Sequence, residues 1–195
     1  MIAVRIDDCY QIGAVHLDPS RDKIRQLEAL GAGQFKHING SLLEHFKGTR
    51  DLLAEWHATM ALQDAGLFHA AYSTAGFGDR MLDIGQRHTV AAIIGEQAEE
   101  IVYHFCACDR EVFYPALEIS NTPPFPDRFT GENRKLAPQL MSDLCELTVA
   151  NEVEIATRNE NFRRKHAASR FAIYSGMFPH LSTSARSAVE EVFGS

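Results

Sequence analysis

Two histidines, His45 and His69, lie 24 positions apart (69 − 45), and each falls inside an apolar segment. His45 shares a helical face with Leu42, Thr49, Leu52 and Trp56, at i−3, i+4, i+7 and i+11. His69 sits in Ala65-Gly66-Leu67-Phe68-His69-Ala70-Ala71-Tyr72, where other polar groups are almost absent. An imidazole buried without a partner costs roughly 1–3 kcal/mol, so each must find a hydrogen bond or a metal. A third polar group joins them. Leu140, Leu144, Leu147, Asn151 and Ile155 follow one another at helical spacing, so Asn151 points where the leucines point. Each group alone is also what packing produces: a satisfied core histidine, or an amide that sets register. Three helices that each place one polar group on an apolar face are the pattern of a ligand or metal pocket in a helix bundle.

Other residues stand near these three. His37 lies on the connector before the His45 helix and either reaches the cavity mouth or faces solvent. Tyr72, three residues past His69, joins His37 and His69 as a candidate catalytic group. Arg80, Arg87 and His88 follow the His69 segment. They form either a charged surface or an anion-binding rim for phosphate or carboxylate. Arg128, with Phe125 and Phe129, falls in an irregular stretch over residues 115–133 that contains Pro115, Pro123, Pro124, Pro126 and Gly131. Loops of that length are often lids or binding loops, so Arg128 joins Arg80 and Arg87 of the possible anion rim as a candidate substrate contact. Glu96, Glu99, Glu100 and Asp109 read as a solvated helix face. Asp143 sits at the edge of the leucine stripe.

These side chains need helices to hold them. Ile2, Val4 and Ile6 alternate, which predicts a short strand or extended arm within residues 1–17. A helix is expected from Asp18-Pro19-Ser20 to Gly31. The next starts near Ser41 as N-cap and ends near His57. A buried helix follows over about 59–73, then helices over 87–94 and 96–108. A long helix spans about 135–157, with Pro138 tolerated in its first turn. Helices near 160–175 and 183–193 close the chain. No repeat, low-complexity segment or linker interrupts it. The fold expected is all-α, one helical bundle over residues 1–195 with an N-terminal extended arm.

The chain has 195 residues, 45% of them hydrophobic, enough for one sizeable core. It carries 19 basic and 26 acidic residues, a formal charge of −7, which argues against nucleic acid as a partner. Cys9, Cys106, Cys108 and Cys145 form no C-x-x-C pair, so a zinc–thiolate site is not expected and free thiols suit a reducing compartment. The N-terminal residues are too charged for a signal peptide, and no apolar run is long enough to span a membrane. A cytoplasmic protein acting on a small molecule is the expectation. A homodimer formed by exchange of the N-terminal arm remains open.

His45 and His69, the second within Asp64-Ala65-Gly66-Leu67-Phe68-His69, resemble the histidines of HD-domain metal-dependent phosphohydrolases, the alarmone-hydrolase branch most of all. Ile94-Gly95-Glu96-Gln97-Ala98-Glu99-Glu100-Ile101-Val102 is similar to that branch's helix after the signature motif. Asn151, in Leu147-Thr148-Val149-Ala150-Asn151, falls where that fold has its last metal aspartate. The stretch from His37-x-x-Gly40 through His45-x-x-Gly48 to His69 and Tyr72 also resembles an HD-like helical family defined by sequence rather than by a reaction. The resemblance covers roughly residues 24–157 and implies an HD-like core there, with the C-terminal helices of about 160–193 added.

The departures bear on chemistry. The aspartate that follows the second histidine in that family is Ala70 here. The final aspartate is Asn151, and Tyr72-Ser73-Thr74 replaces the Glu-Asp pair of alarmone hydrolases. Losing both carboxylates disfavours a hard ion such as Mn²⁺. Three functions follow. In the first, His37, His45 and His69 with Asn151, Asp143 or water hold Zn²⁺ or Fe²⁺, for hydrolysis or, with iron, oxygenation. In the second, a metal-free cavity binds a small ligand, with the histidines as acid–base groups and Arg80 or Arg87 as anion anchor. In the third, the bundle is an interaction module and the polar groups pair among themselves.

Overall fold

A computed structural model of the chain describes residues 19–32, 36–37, 40–75 and 81–194. The arm expected within residues 1–17 lies outside the described residues. Helix α1 (Pro19–Ala29) buries Leu27 and is followed by a short antiparallel hairpin. In it β1 (Lys36–His37) pairs with β2 (Gly40–Ser41), His37 opposite Gly40. Ser41 then caps α2 (Leu42–Glu55), its Oγ accepting from Glu44 N at 3.2 Å. This start agrees with the sequence expectation. The helix ends at Glu55, and His57 turns into the left-handed region at φ 59°.

Helix α3 (Met60–Phe68) starts at the Thr59 cap and stops five residues short of the expected end. The cause is local. His69 Nδ1–H donates to Gly66 O at 2.8 Å, the carbonyl that the Ala70 amide would take if the helix continued. Close approach to α2 comes from Gly66 itself. A Cβ there would stand 2.8 Å from Leu53 Cδ1 and 3.3 Å from the Arg50 backbone.

Helices α4 (Arg87–Ile94) and α5 (Glu96–Ala107) follow as expected. The stretch over 115–133 departs from expectation. Helix α6 (Arg110–Ile119) occupies its first part, with Pro115 inside. The proline removes one backbone hydrogen bond, but Phe113, Tyr114 and Leu117 bury one face and hold the helix. The rest is an antiparallel hairpin, β3 (Phe125–Asp127) with β4 (Glu132–Arg134), tied to the end of α5 by Arg128 N→Ala107 O at 2.8 Å.

Helix α7 (Pro138–Arg158) is the axis of the molecule. Fourteen of its 21 residues are buried, and it packs against α2, α3 and α5. It also meets α8 (Glu160–Ser175) and α9 (Thr183–Phe193). Its buried side chains include Asp143, Glu146, Asn151, Glu152 and Glu154. Carboxylates cannot be buried alone, and each has a counterpart. Glu146 accepts from Ser182 N and Oγ at 3.0 and 2.8 Å, which fixes the start of α9. Glu152 faces Arg170, and Glu154 faces His45. Apart from the two hairpins the described residues are all-α, and no helix among them is long and apolar enough to cross a membrane.

Candidate functional site

His45, His69 and Asn151 converge. His45 leaves the buried face of α2, His69 ends α3 and Asn151 lies midway along α7. The two histidines are each 2% exposed and Asn151 is 7% exposed. His45 Nε2 stands 3.2 Å from His69 Nε2 and 3.0 Å from Asn151 Oδ1. Aromatic rings wall the site. The His69 ring meets Phe46 and Phe105 edge-on, at 4.8 and 5.2 Å between centroids.

Partners on the far side of each ring assign the protons. His45 Nδ1 lies 2.5 Å from Glu154 Oε2, an acceptor, so Nδ1 carries a hydrogen. His69 Nδ1 donates to Gly66 O. With both Nδ1 atoms turned to acceptors, the two Nε2 atoms and Asn151 Oδ1 face one another. A hydrogen on one Nε2, shared within this group, fits these distances, and so does a cation between the three. An imidazole whose outer N–H is held by a carboxylate or a carbonyl is the usual form of a metal-ligating histidine.

Glu154 also accepts from Arg158 Nη1 at 2.9 Å. Burial raises its pKa, but the hydrogen bond and charge of His45, and then Arg158, outweigh this and hold it below the ordinary carboxylate range. The carboxylate fits because of Gly48 on α2. A Cβ at that position would come within 2.8 Å of Glu154 Cγ and Oε1. Cys106 Sγ–H donates to His69 O at 3.2 Å, and burial pushes this thiol up to about 12, so it is no nucleophile.

The remaining candidates part company with this centre. His37 has its backbone in β1, next to α2; its side chain lies outside the described residues, as does Arg80. Tyr72 is not positioned as a catalytic partner of the histidines: its hydroxyl donates to Glu99 Oε1 at 2.9 Å, and burial holds it protonated. Arg87 is not a free anion anchor. Its Nε and Nη2 donate to Glu99 Oε1 and Oε2 at 2.7 and 2.6 Å, and its guanidinium lies 4.0 Å over the Tyr103 ring. Glu99 is thus buried, not part of a solvated face.

Arg128 is likewise spent on structure, donating to Cys106 O at 2.8 Å and Ser73 Oγ at 3.1 Å, while Phe125 is wholly buried. Asp143 bonds Gln139 Nε2 at 2.9 Å. It lies eight residues before Asn151, about 12 Å along the axis, and does not enter the site.

Sequence reasoning missed Glu154. Its signal was present: it is three residues past Asn151, on the same helical face, and Gly48 stands one turn after His45. Among the described residues no three His, Cys, Asp or Glu side chains stand together as a metal-ligating group. The donor set is two imidazoles and an amide oxygen. Ligand distances of about 2.0–2.1 Å in a tetrahedral zinc site place neighbouring donors roughly 3.3–3.4 Å apart around one ion; the His45–His69 separation of 3.2 Å is close to that, and the His45–Asn151 separation of 3.0 Å would have to open by a few tenths of an ångström. The set fits a borderline ion such as Zn²⁺ or Fe²⁺ better than a hard one.

No curated protein and no solved structure matches the chain. A family model described as a domain of unknown function (DUF6817) matches residues 26–110, the segment that carries both histidines but ends before α7 brings Asn151 and Glu154 to them.

Proposed function

We propose that this protein is a divergent HD-like, metal-dependent enzyme acting on a small anionic molecule, with Zn²⁺ or Fe²⁺ held by His45, His69 and Asn151. One observation carries this: His45 Nε2 stands 3.2 Å from His69 Nε2 and 3.0 Å from Asn151 Oδ1 while both outer ring nitrogens face acceptors. Such an ion supplies Lewis-acid activation of water for hydrolysis or, as iron, oxygen chemistry. Glu154 orients His45 and adds negative charge behind it. The Gly66 carbonyl sets the His69 tautomer. Phe46 and Phe105 keep bulk water away from the rings.

Elemental analysis of freshly purified protein, beside His45→Ala/His69→Ala, is the test. Near-stoichiometric zinc or iron that disappears in a folded double variant supports the proposal, and the metal separates hydrolase from oxygenase chemistry. Full metal content in the folded double variant overturns it.

A second function has its own support. The 2.5 Å contact of His45 with Glu154 is also what a buried imidazolium makes. A metal-free acid–base or ligand-binding protein follows if neither protein carries metal.

A further inference from the structure

We propose that the cavity between α6, α7 and α8 is a binding site for a small monocarboxylate with an apolar body, held by Arg110. The cavity has a volume of about 350 Å³, within the range of small-molecule sites. Arg110 stands at the start of α6, its guanidinium 4.6 Å over the Phe105 ring. Its Nε and Nη2 are shut off from solvent and have no hydrogen-bond partner. A guanidinium with two buried, unpaired N–H groups is an incomplete arrangement that an anion completes.

The identity of the anion follows from geometry and charge. Nε and Nη2 form the parallel fork that matches the two oxygens of a carboxylate. Arg170 lines the same cavity, but its Nε lies 3.4 Å from Glu152 Oε2, so its charge is already met. The angles there make no hydrogen bond, and Glu152 Oε2 remains open to a hydroxyl or amine of the ligand. Glu111 stands at the exposed rim. Glu152 attracts the Arg110 charge without a hydrogen bond to it, and with that carboxylate and the rim Glu111 close by, the site suits a monoanion and disfavours a phosphate dianion. Tyr114, Pro115 and Ile173 offer the apolar wall. Arg87 and Arg128, expected from sequence to hold an anion, are consumed by Glu99 and by backbone and Ser73 oxygens, whereas Arg110, which was not among the expected residues, has two N–H groups without a partner. The Phe105 ring touches both Arg110 and His69, so the cavity lies one side chain from the histidine centre.

The experiment is titration calorimetry and thermal shift of the full chain with benzoate and with 3-methylbutanoate, beside benzamide and inorganic phosphate. Either acid is expected to bind with a Kd of about 1 mM or tighter, with no response to benzamide or phosphate. Arg110→Met is expected to lose that binding by tenfold or more while the protein stays folded in buffer alone, since neither buried N–H it removes makes a hydrogen bond. The surface control Arg164→Met is expected to bind as wild type. Should Arg110→Met fail to fold, Arg110→Lys, which keeps charge and stem but lacks the fork, is expected to weaken binding about tenfold. No binding by wild type, binding of phosphate alone, or wild-type affinity in Arg110→Met or Arg110→Lys overturns the proposal. None of these outcomes depends on metal at His45 and His69, so the two ideas fail separately.

Discussion

Glu154 on α7 faces His45 on α2 at 2.5 Å, through the gap that Gly48 leaves in the α2 surface. That contact fixes which nitrogen of His45 turns toward His69 and Asn151. It also ties the chemistry of the centre to a carboxylate that touches neither of them.

Glu154→Gln should keep the shape and remove the negative charge behind His45. If the centre holds metal, zinc affinity should fall about 10–100-fold, the usual effect of losing a carboxylate behind a histidine ligand. Competition with a zinc chelator measures it. Unchanged affinity would show that Glu154 does not tune the site.

Asn151→Asp puts an anionic oxygen where the amide oxygen now stands, 3.0 Å from His45 Nε2. Affinity for divalent ions should rise by about tenfold or more, Mn²⁺ gaining most because it prefers carboxylate oxygen. Parallel Mn²⁺ and Zn²⁺ titrations check the order; an equal or lower Mn²⁺ affinity would place Asn151 outside the ligand set.

Gly48→Ala places a methyl 2.8 Å from Glu154. The rigid α2–α7 contact should lose about 1–3 kcal/mol, as overpacking does, read by urea unfolding. A neutral result would mean that Glu154 swings away freely, and then the tautomer of His45 is not fixed as described.

Burial raises the pKa of Asp143, with Glu146 adding to the shift and the Gln139 hydrogen bond opposing it. The sign follows. A carboxyl with a raised folded pKa favours folding below its unfolded value, about 3.9. It costs stability as pH rises through the folded value. Asp143→Asn, which keeps an acceptor for Gln139, should therefore raise Tm at pH 7 and lose that advantage near pH 3. A Tm series across this range decides it; a lower Tm at pH 7 would mean that the carboxylate is better paired than its surroundings imply.

Much of this arrangement was legible in periodicity. The helical spacing of Leu42, His45 and Thr49, and of Leu144, Leu147 and Asn151, puts these polar groups on buried faces, and the structure brings them within 3.0 Å. Glu154 was hidden because a Glu near the end of a long helix ordinarily faces water. Pro115 concealed α6, since one lost hydrogen bond is visible in sequence whereas the burial of Phe113 and Tyr114 is not.

The chain by itself determined that it would be helical, where most helices begin, and which faces are apolar, because those depend on neighbours within a turn. Tertiary structure decided the pairing of charges. Arg87, Arg128 and Arg110 look equally available in sequence. Only packing delivers Glu99 to the first and carbonyl and hydroxyl oxygens to the second, and leaves the third facing a cavity. A guanidinium's role depends on which acceptor lies within about 3 Å, and residues distant in the chain supply that acceptor.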